Sequence, residues 1–195
     1  MKRPALWLLF LAVAALAAGG YWWLHNRPVP GPYPGMGGDF TLKSARGPVS
    51  LSDFRGKVVA LYFGYTSCPD VCPTSLGALA AALRGLTPEE LAQVQPIFVS
   101  VDPERDTPEK LAEYARYFHP SLIGLTGPLP KLKEIAHRYG AYFRKAPVTG
   151  SLGYAVDHSS VIYLIDRRGV LVDMIQHSDS PQVIRARLRK VLGEA

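Results

Sequence analysis

The chain contains two cysteines, Cys68 and Cys72, both within the decapeptide GYTSCPDVCP. Three residues separate them, and a proline follows each one. Such a pair can form a structural disulfide, act as a redox-active dithiol, or supply two thiolate ligands to a soft metal ion. A structural disulfide is the weakest of the three interpretations, because a bridge between residues this close together closes a small loop and stabilises little.

The cysteine segment lies between a predicted buried strand and a predicted helix. Residues 57–65, KVVALYFGY, form an apolar run without polar alternation, which is typical of a strand covered on both faces. The following helix is predicted from about Thr74 to Leu86. If Pro73 opens it, Cys72 is the N-cap residue, and we expect the helix dipole to lower the pKa of Cys72 and favour its thiolate. Sites of α/β proteins are built at such strand ends.

A third residue with metal-binding chemistry, His158, lies far along the chain in YAVDHSSVIYLID. It immediately precedes a predicted strand, on a turn that can fold back to the same sheet edge, and Asp157 is placed to orient the imidazole. Two thiolates and an imidazole suit copper, Cu(I) above all, whereas zinc usually takes a fourth ligand. Spacing alone leaves a purely structural histidine equally open. The other histidines lie at positions that suggest no metal site: His25, His119, His137 and His177.

The overall composition predicts one globular domain with an N-terminal appendage. The chain has 195 residues, of which 48% are hydrophobic and 19% charged, a composition that argues against wholesale disorder. Its formal net charge is +6, yet no run of five basic residues occurs. The densest basic stretch, RARLRK at 185–190, has the spacing of the solvent face of an amphipathic helix, and we expect no nucleic-acid partner.

The N-terminal segment has the features of a membrane anchor. Residues 5–24 carry no charge, and about twenty apolar residues are enough to span a bilayer. Tyr21–Trp23 lie at the far end, as in an interfacial aromatic belt, and the basic residues before the span predict a cytoplasmic N-terminus. We therefore expect residues 1–25 to be a single-pass anchor in the cell membrane, with the domain on the outer or periplasmic side. A signal peptide cleaved near 15–17 is the alternative, and it exports the domain equally.

A Pro/Gly-rich stretch, residues 26–38, is predicted to be a tether, and residues 39–195 to be the folded domain. The domain's pattern predicts an α/β fold with a mixed sheet. The pattern predicts a first hairpin (40–42 and 49–51), followed by the strand and helix around the cysteines. After these it predicts a strand at 95–102, a helix capped by Thr107, a short strand, a helix ending at Gly140, a hairpin around 167–169 and a helix at 181–192.

Three segments, GYTSCPDVCPTSL, SVDPERDTP and DHSSVIYLID, occur in this order behind the N-terminal anchor. Together they closely resemble the Sco family (SCO1/SenC) over about residues 39–192. The resemblance implies a thioredoxin-like fold, with a mixed central sheet flanked by helices, an N-terminal β-hairpin and an inserted hairpin in the C-terminal half. It also implies a part in building the dinuclear copper centre, CuA, of cytochrome c oxidase.

By position, the family's copper ligands correspond to Cys68, Cys72 and His158. Ser67 stands where the family often has histidine, which removes a nearby imidazole but no ligand. Asp102 matches an acidic residue of the family that can lie near the site. Asp102 and Asp157 are therefore candidates to support the ligands from behind.

The resemblance leaves two main functions open. The first is a membrane-anchored copper metallochaperone that holds copper, as Cu(I) and also as Cu(II), and passes it by ligand exchange to the CuA-bearing oxidase subunit. The second is a thiol–disulfide reductase that keeps this subunit's cysteines reduced, with Cys68 attacking and Cys72 resolving. Either function requires a further partner, a copper donor or a thiol reductant. A third interpretation, a peroxidase, follows from the similarity of FGYTSCP to peroxiredoxin loops, but it assigns no task to His158.

Overall fold

The computed structural model describes residues 31–147 and 153–193, together with residues 13, 14, 16, 19 and 20. The chain divides into two compact units, residues 1–30 and 31–195. In the first unit the five described residues are helical. No helix among the described residues combines the length and the apolar character that a membrane crossing requires. The predicted anchor, residues 1–25, lies mostly outside the described residues and stays a prediction.

The second unit contains the predicted alternation of strands and helices. Its described elements are β1 (Thr41–Ser44), β2 (Gly47–Ser50), β3 (Val58–Gly64), α1 (Val71–Arg84), α2 (Pro88–Ala92), β4 (Val94–Ser100), α3 (Pro108–Phe118), β5 (Ile123–Leu125), α4 (Leu129–Arg138), β6 (Phe143–Pro147), β7 (Tyr154–His158), β8 (Val161–Ile165), β9 (Leu171–Gln176) and α5 (Pro181–Gly193). The sequence pattern did not predict the antiparallel pair β6–β7.

Five of the strands form one mixed sheet in the order β5-β4-β3-β8-β9. Strands β3, β4 and β5 are parallel, while β8 is antiparallel to both β3 and β9. The predicted N-terminal hairpin is present as β1–β2. This mixed sheet, flanked by helices, confirms the predicted fold class.

Strand β3 is the centre of the core, and all seven of its residues are buried. Its alternate side chains face opposite layers. Tyr62 stacks on Phe98 of β4, which in turn contacts Tyr114 of α3. Phe63 faces the other way and contacts Tyr139, next to the end of α4. Helical layers therefore cover both faces of β3, as its unbroken apolar run predicts.

Three chain segments meet at one edge of this sheet. The parallel strands β3 and β4 end together, with Gly64 paired to Ser100. Strand β8 runs the opposite way and pairs Ile162 with Tyr62, so it begins where β3 ends. The cysteine segment after β3, the loop after β4 and the β7–β8 connection consequently lie side by side at the carboxyl edge of the parallel strands.

The described part of the Pro/Gly-rich stretch packs on the domain. The Gly37 N–H donates to the Arg138 carbonyl at the end of α4, with an N···O distance of 2.8 Å. The side chains of Tyr33 and Met36 pack against the core. The compact unit therefore includes residues 31–38, which the sequence pattern assigns to the tether.

Candidate metal centre

The cysteine segment enters α1 earlier than the sequence predicts. Asp70, and not Cys72, is the N-cap residue, because the Asp70 carbonyl already accepts a helical hydrogen bond from the Thr74 N–H (3.1 Å). Pro73 is tolerated inside the first turn, where a backbone nitrogen needs no helical acceptor. The earlier start turns Cys72 inward, where it is completely buried, while Cys68 in the preceding loop stays half-buried.

The structure brings the three predicted ligand residues together. The sulfurs of Cys68 and Cys72 and an imidazole nitrogen of His158 all lie within 4.8 Å of one another. Cys72 Sγ is 3.2 Å from His158 Nε2, and the Cys72 N–H points at Cys68 Sγ at 3.5 Å. Neither cysteine is in a disulfide. Within the described part of the chain, this is the only cluster of three or more His, Cys, Asp or Glu side chains with metal-binding spacing.

His158 is the last residue of β7 and not part of a turn, and its ring orientation is well defined. Its Nδ1 lies 3.0 Å from the Ser159 carbonyl oxygen. A carbonyl only accepts, so Nδ1 carries the proton and Nε2 presents its lone pair to the sulfurs. The rings of Tyr62 and Tyr65 contact the imidazole edge-on, with centroids 6.2 and 5.7 Å away. The imidazole is thus held as a metal-ligating histidine requires.

Asp157 does not orient this imidazole, contrary to the expectation from sequence. Neighbouring residues of a strand point to opposite sides, so Asp157 faces away from the site. Its exposed carboxylate pairs with Arg144 on β6, at an N···O distance of 3.4 Å. The Ser159 carbonyl takes the orienting position instead.

Asp102 supports the candidate site through two aromatic side chains, Tyr154 and Tyr65. Its buried carboxylate accepts a hydrogen bond from the Tyr154 hydroxyl (2.7 Å) and pairs with Arg105. The Arg105 guanidinium lies over the Tyr154 ring, 3.8 Å from its centroid, and 5.5 Å from the centroid of Tyr65. Tyr154 is on β7 and Tyr65 packs against His158. This cluster therefore ties the histidine strand to the loop after β4.

Asp106 has a role that the sequence did not reveal. Its buried carboxylate accepts hydrogen bonds from the Thr66 N–H (2.8 Å) and hydroxyl (2.5 Å), the Ser100 hydroxyl (2.6 Å) and the Lys110 ammonium group (3.1 Å). Since Thr66 opens the cysteine segment, this carboxylate anchors that segment to the end of β4. The sequence explains Asp106 only as part of a helix start, where Thr107 is the cap. A local pattern cannot show a contact across 40 positions.

The cysteine pair holds one proton, and the proton resides on Cys72. The hydrogen bond from the Cys72 thiol, with further ones from backbone N–H groups, outweighs burial and lowers the pKa of Cys68 to about 3. The same hydrogen bond, burial and the charge of Cys68 raise the pKa of Cys72 far above its ordinary value. The thiolate is therefore Cys68, and the sequence-based expectation of a Cys72 thiolate is wrong. Burial of Cys72 opposes the helix dipole.

The pH dependence of alkylation should show which of the two cysteines is the thiolate. We expect the rate of Cys68 modification by iodoacetamide to stay nearly constant between about pH 5 and pH 8, because its thiolate is lost only as the pH falls toward its lowered pKa. The alkylation of an ordinary thiol, with a pKa of about 8.5, becomes about tenfold slower for each pH unit below that value. Peptide mass spectrometry measures the rate, and Cys68→Ser is the control that should lose the fast reaction. A tenfold decline per pH unit at Cys68 would contradict the assignment.

The site opens to solvent through a cavity of about 350 Å³. Cys68 and His158 line this cavity, together with Tyr65, Pro69 and Val71 on its more apolar side. The completely buried Cys72 lies beneath them. An incoming group can therefore reach the Cys68 sulfur and the imidazole directly, but it reaches Cys72 only after passing them.

Comparison with known proteins adds to this geometry. Residues 31–193 match the SCO1/SenC family. The bovine mitochondrial SCO2 homolog is 42% identical over 155 residues, which cover 78% of this chain and 58% of that protein. The crystal structure of Arabidopsis thaliana ScoI with copper bound aligns with a TM-score of 0.76 and 37% identity, over 82% of this chain and 99% of that one.

A second solved structure is that of BsSco, described as a member of the Sco family of cytochrome c oxidase assembly proteins and as having a disulfide switch. It aligns with a TM-score of 0.66 and 25% identity, over 86% of this chain and 99% of that one. The mixed sheet with its flanking helices is thus shared with both solved structures.

Proposed function

This chain belongs to the SCO1/SenC family, and we propose that it is a copper-binding protein of cytochrome c oxidase assembly with Cys68, Cys72 and His158 as its copper ligands. The observation that carries the proposal is the convergence of these three donor atoms within 4.8 Å. The Arabidopsis relative whose structure holds copper supports it.

The donor set suits copper as cargo. Two sulfurs and one imidazole form a soft set of the kind that Cu(I) prefers over harder ions. Cys68 is already a thiolate and His158 already presents the lone pair of Nε2, so neither must lose a proton. Cys72 does carry a proton, and copper binding through both sulfurs releases it.

The cavity gives the copper a route to a recipient. Because Cys68 and His158 line the cavity and Cys72 lies beneath it, thiolates of a partner can replace the two outer ligands first. The buried Cys72 sulfur is then the last ligand to release the copper. Such stepwise exchange suits the CuA-bearing subunit of the oxidase, whose copper-binding cysteines would supply the incoming thiolates.

The proposal places this chemistry at a membrane. Residues 1–25 would anchor the chain with its N-terminus in the cytoplasm and hold the folded unit on the outer or periplasmic side. The absence of charge in residues 5–24 supports this arrangement. The rest of the Pro/Gly-rich stretch, residues 26–30, would leave the folded unit room to reach its partner.

A thiol–disulfide reductase is the second candidate, and the state of the two cysteines favours it. An accessible Cys68 thiolate beside a buried Cys72 thiol has the arrangement of an attacking and a resolving pair. Cys68 would attack a partner disulfide and release one partner thiolate. Cys72, after losing its proton, would then attack Cys68, forming the Cys68–Cys72 disulfide and releasing the second partner thiolate, so that the partner gains two electrons.

One paired assay separates these functions. We expect the Cu(I)-loaded chain to transfer copper to the reduced copper-binding segment of the oxidase subunit, detected by mass spectrometry and by the absorption of the CuA centre. In the second arm, the metal-free dithiol chain is mixed with the same segment in its disulfide form. Disulfide reduction without copper transfer would establish the reductase instead. If neither reaction occurs, both candidate functions are wrong.

A further inference from the structure

The strand that carries His158 belongs to a hairpin with little support of its own. Within the described part of the chain, strands β6 and β7 pair with each other alone and form a two-stranded sheet separate from the five-stranded one. Of the residues in these two strands, only Val156 is buried. A two-stranded hairpin by itself is at best marginally stable in water. Contacts with the rest of the folded unit must therefore hold His158 in place.

Arg105, in the loop after β4, makes such a contact at the start of β7. Its Nη1 donates a hydrogen bond to the Tyr154 carbonyl, with an N···O distance of 2.9 Å. The same guanidinium lies over the Tyr154 ring, 3.8 Å from the centroid. A planar guanidinium can donate to a carbonyl and stack on a ring at the same time. Tyr154 is thus held through both its backbone and its side chain.

The buried carboxylate of Asp102 keeps this guanidinium at Tyr154. It pairs with Nε of Arg105 and accepts a hydrogen bond from the Tyr154 hydroxyl (2.7 Å). The Asp102 side chain is 1% exposed and the Arg105 side chain 20%. Because separating the pair would leave a buried charge without its partner, the guanidinium stays at Tyr154 and does not turn toward solvent.

Arg105 also reaches the imidazole through Tyr65. The guanidinium carbon lies 5.5 Å from the centroid of the Tyr65 ring, within the range of a cation–π contact. The Tyr65 ring in turn meets the His158 imidazole edge-on, with 5.7 Å between the centroids. Tyr154 and His158 are four residues apart on one strand, so their side chains face the same side of β7. A continuous chain of contacts therefore runs from Tyr154 through Arg105 and Tyr65 to His158.

We infer that Arg105 positions His158 for copper, because it holds the start of β7 through Tyr154 and the imidazole through Tyr65. The inference rests on the proposed function, since it concerns the fit of His158 to the metal. A ligand that is already held in place loses less conformational freedom on binding, and the saving appears as higher affinity. Arg105 is a positioning residue, and Asp102 supports the site by fixing it.

The test is Arg105→Lys, which keeps a positive charge beside Asp102 but removes the planar group that stacks on the rings. In competition with a chromophoric Cu(I) chelator, we expect it to weaken binding by about tenfold, the lower end of the loss caused by removing an outer partner of a metal ligand. Arg144→Lys is the matched control, the same substitution at an exposed arginine that pairs with Asp157 away from the site. It should remain within about twofold of the parent, because an exposed ion pair contributes little.

A double-mutant cycle separates the positioning of His158 from a general effect on the fold. In a His158→Ala chain there is no imidazole to position, so the addition of Arg105→Lys should change the Cu(I) affinity by less than about twofold. A loss of about tenfold in this background too would mean that Arg105 acts on the cysteines or on the whole fold, and the inference would be wrong. Parental affinity of Arg105→Lys in the otherwise unchanged chain would overturn it as well.

Hydrogen exchange tests the same support in the metal-free chain. Followed by mass spectrometry, the amides of β7 should exchange faster in Arg105→Lys than in the parent, while those of β3 keep the parental rate. An equal acceleration in both strands, or no acceleration in β7, would contradict the inference. A parent chain that does not bind Cu(I) would overturn the proposed function, and this inference with it.

Discussion

Replacing His158 by alanine is expected to weaken Cu(I) binding by more than about 100-fold, the upper end of what losing only an outer partner of a ligand costs. The reason is that Nε2, 3.2 Å from the Cys72 sulfur, is the only nitrogen of the three-donor cluster. Without it, copper retains two sulfurs and a solvent-facing position. Competition with a chromophoric Cu(I) chelator measures the loss.

His137→Ala is the matched control, because His137 is exposed on α4 and belongs to no metal-binding cluster among the described residues. It should bind Cu(I) like the parent chain. The His158→Ala chain keeps both cysteines, so a pure reductase would retain most of its dithiol activity. Parental copper affinity in His158→Ala would show that the three-ligand site is wrong.

Gly64→Ala is the second substitution with a large expected effect. The new methyl group would lie 2.6 Å from Cys72 Sγ and 2.9 Å from Phe98 Cε2, distances that force both neighbours to move. Overpacking of this kind costs about 1–3 kcal/mol of unfolding free energy. We expect that loss in urea denaturation, together with weaker Cu(I) binding, since the displaced sulfur is a proposed copper ligand.

Replacing a glycine of α1 by alanine should instead increase the free energy of unfolding. A Cβ atom at Gly77 meets nothing within 4 Å, and alanine is favoured over glycine inside a helix. We expect Gly77→Ala to raise the unfolding free energy by about 0.5–1 kcal/mol. If Gly64→Ala were equally harmless, the close approach of Cys72 to β3 would not depend on the glycine.

Much of the fold was predictable, because its signals are local. Thr107 caps α3 ahead of Pro108, and its hydroxyl accepts from the N–H of Lys110, three residues away. The run at β3 is uninterrupted and is buried throughout. A cap or an apolar run acts over a few residues, so its pattern is visible in the sequence without knowledge of the tertiary structure.

The pair β6–β7 was not predictable on the same grounds. Its strands are short and only partly buried, so they carry neither a continuous apolar run nor a strict alternation. Because this pair was not predicted, His158 was assigned to a turn, although it is the last residue of a strand. The boundary of α1 was misplaced for a related reason, since Pro73 is equally acceptable as the first or the third helical residue.

The sequence by itself determined which donors this protein has: two cysteines at the end of a buried strand and a distant histidine, a soft set suited to copper. Tertiary structure alone decided that the pKa of Cys68 is lowered and that of Cys72 raised, and that the His158 Nε2 faces the sulfurs. The types of the donor residues are read directly from the amino-acid sequence. Protonation and ring orientation depend on burial and on contacts such as the one between Cys72 and His158, which are 86 positions apart.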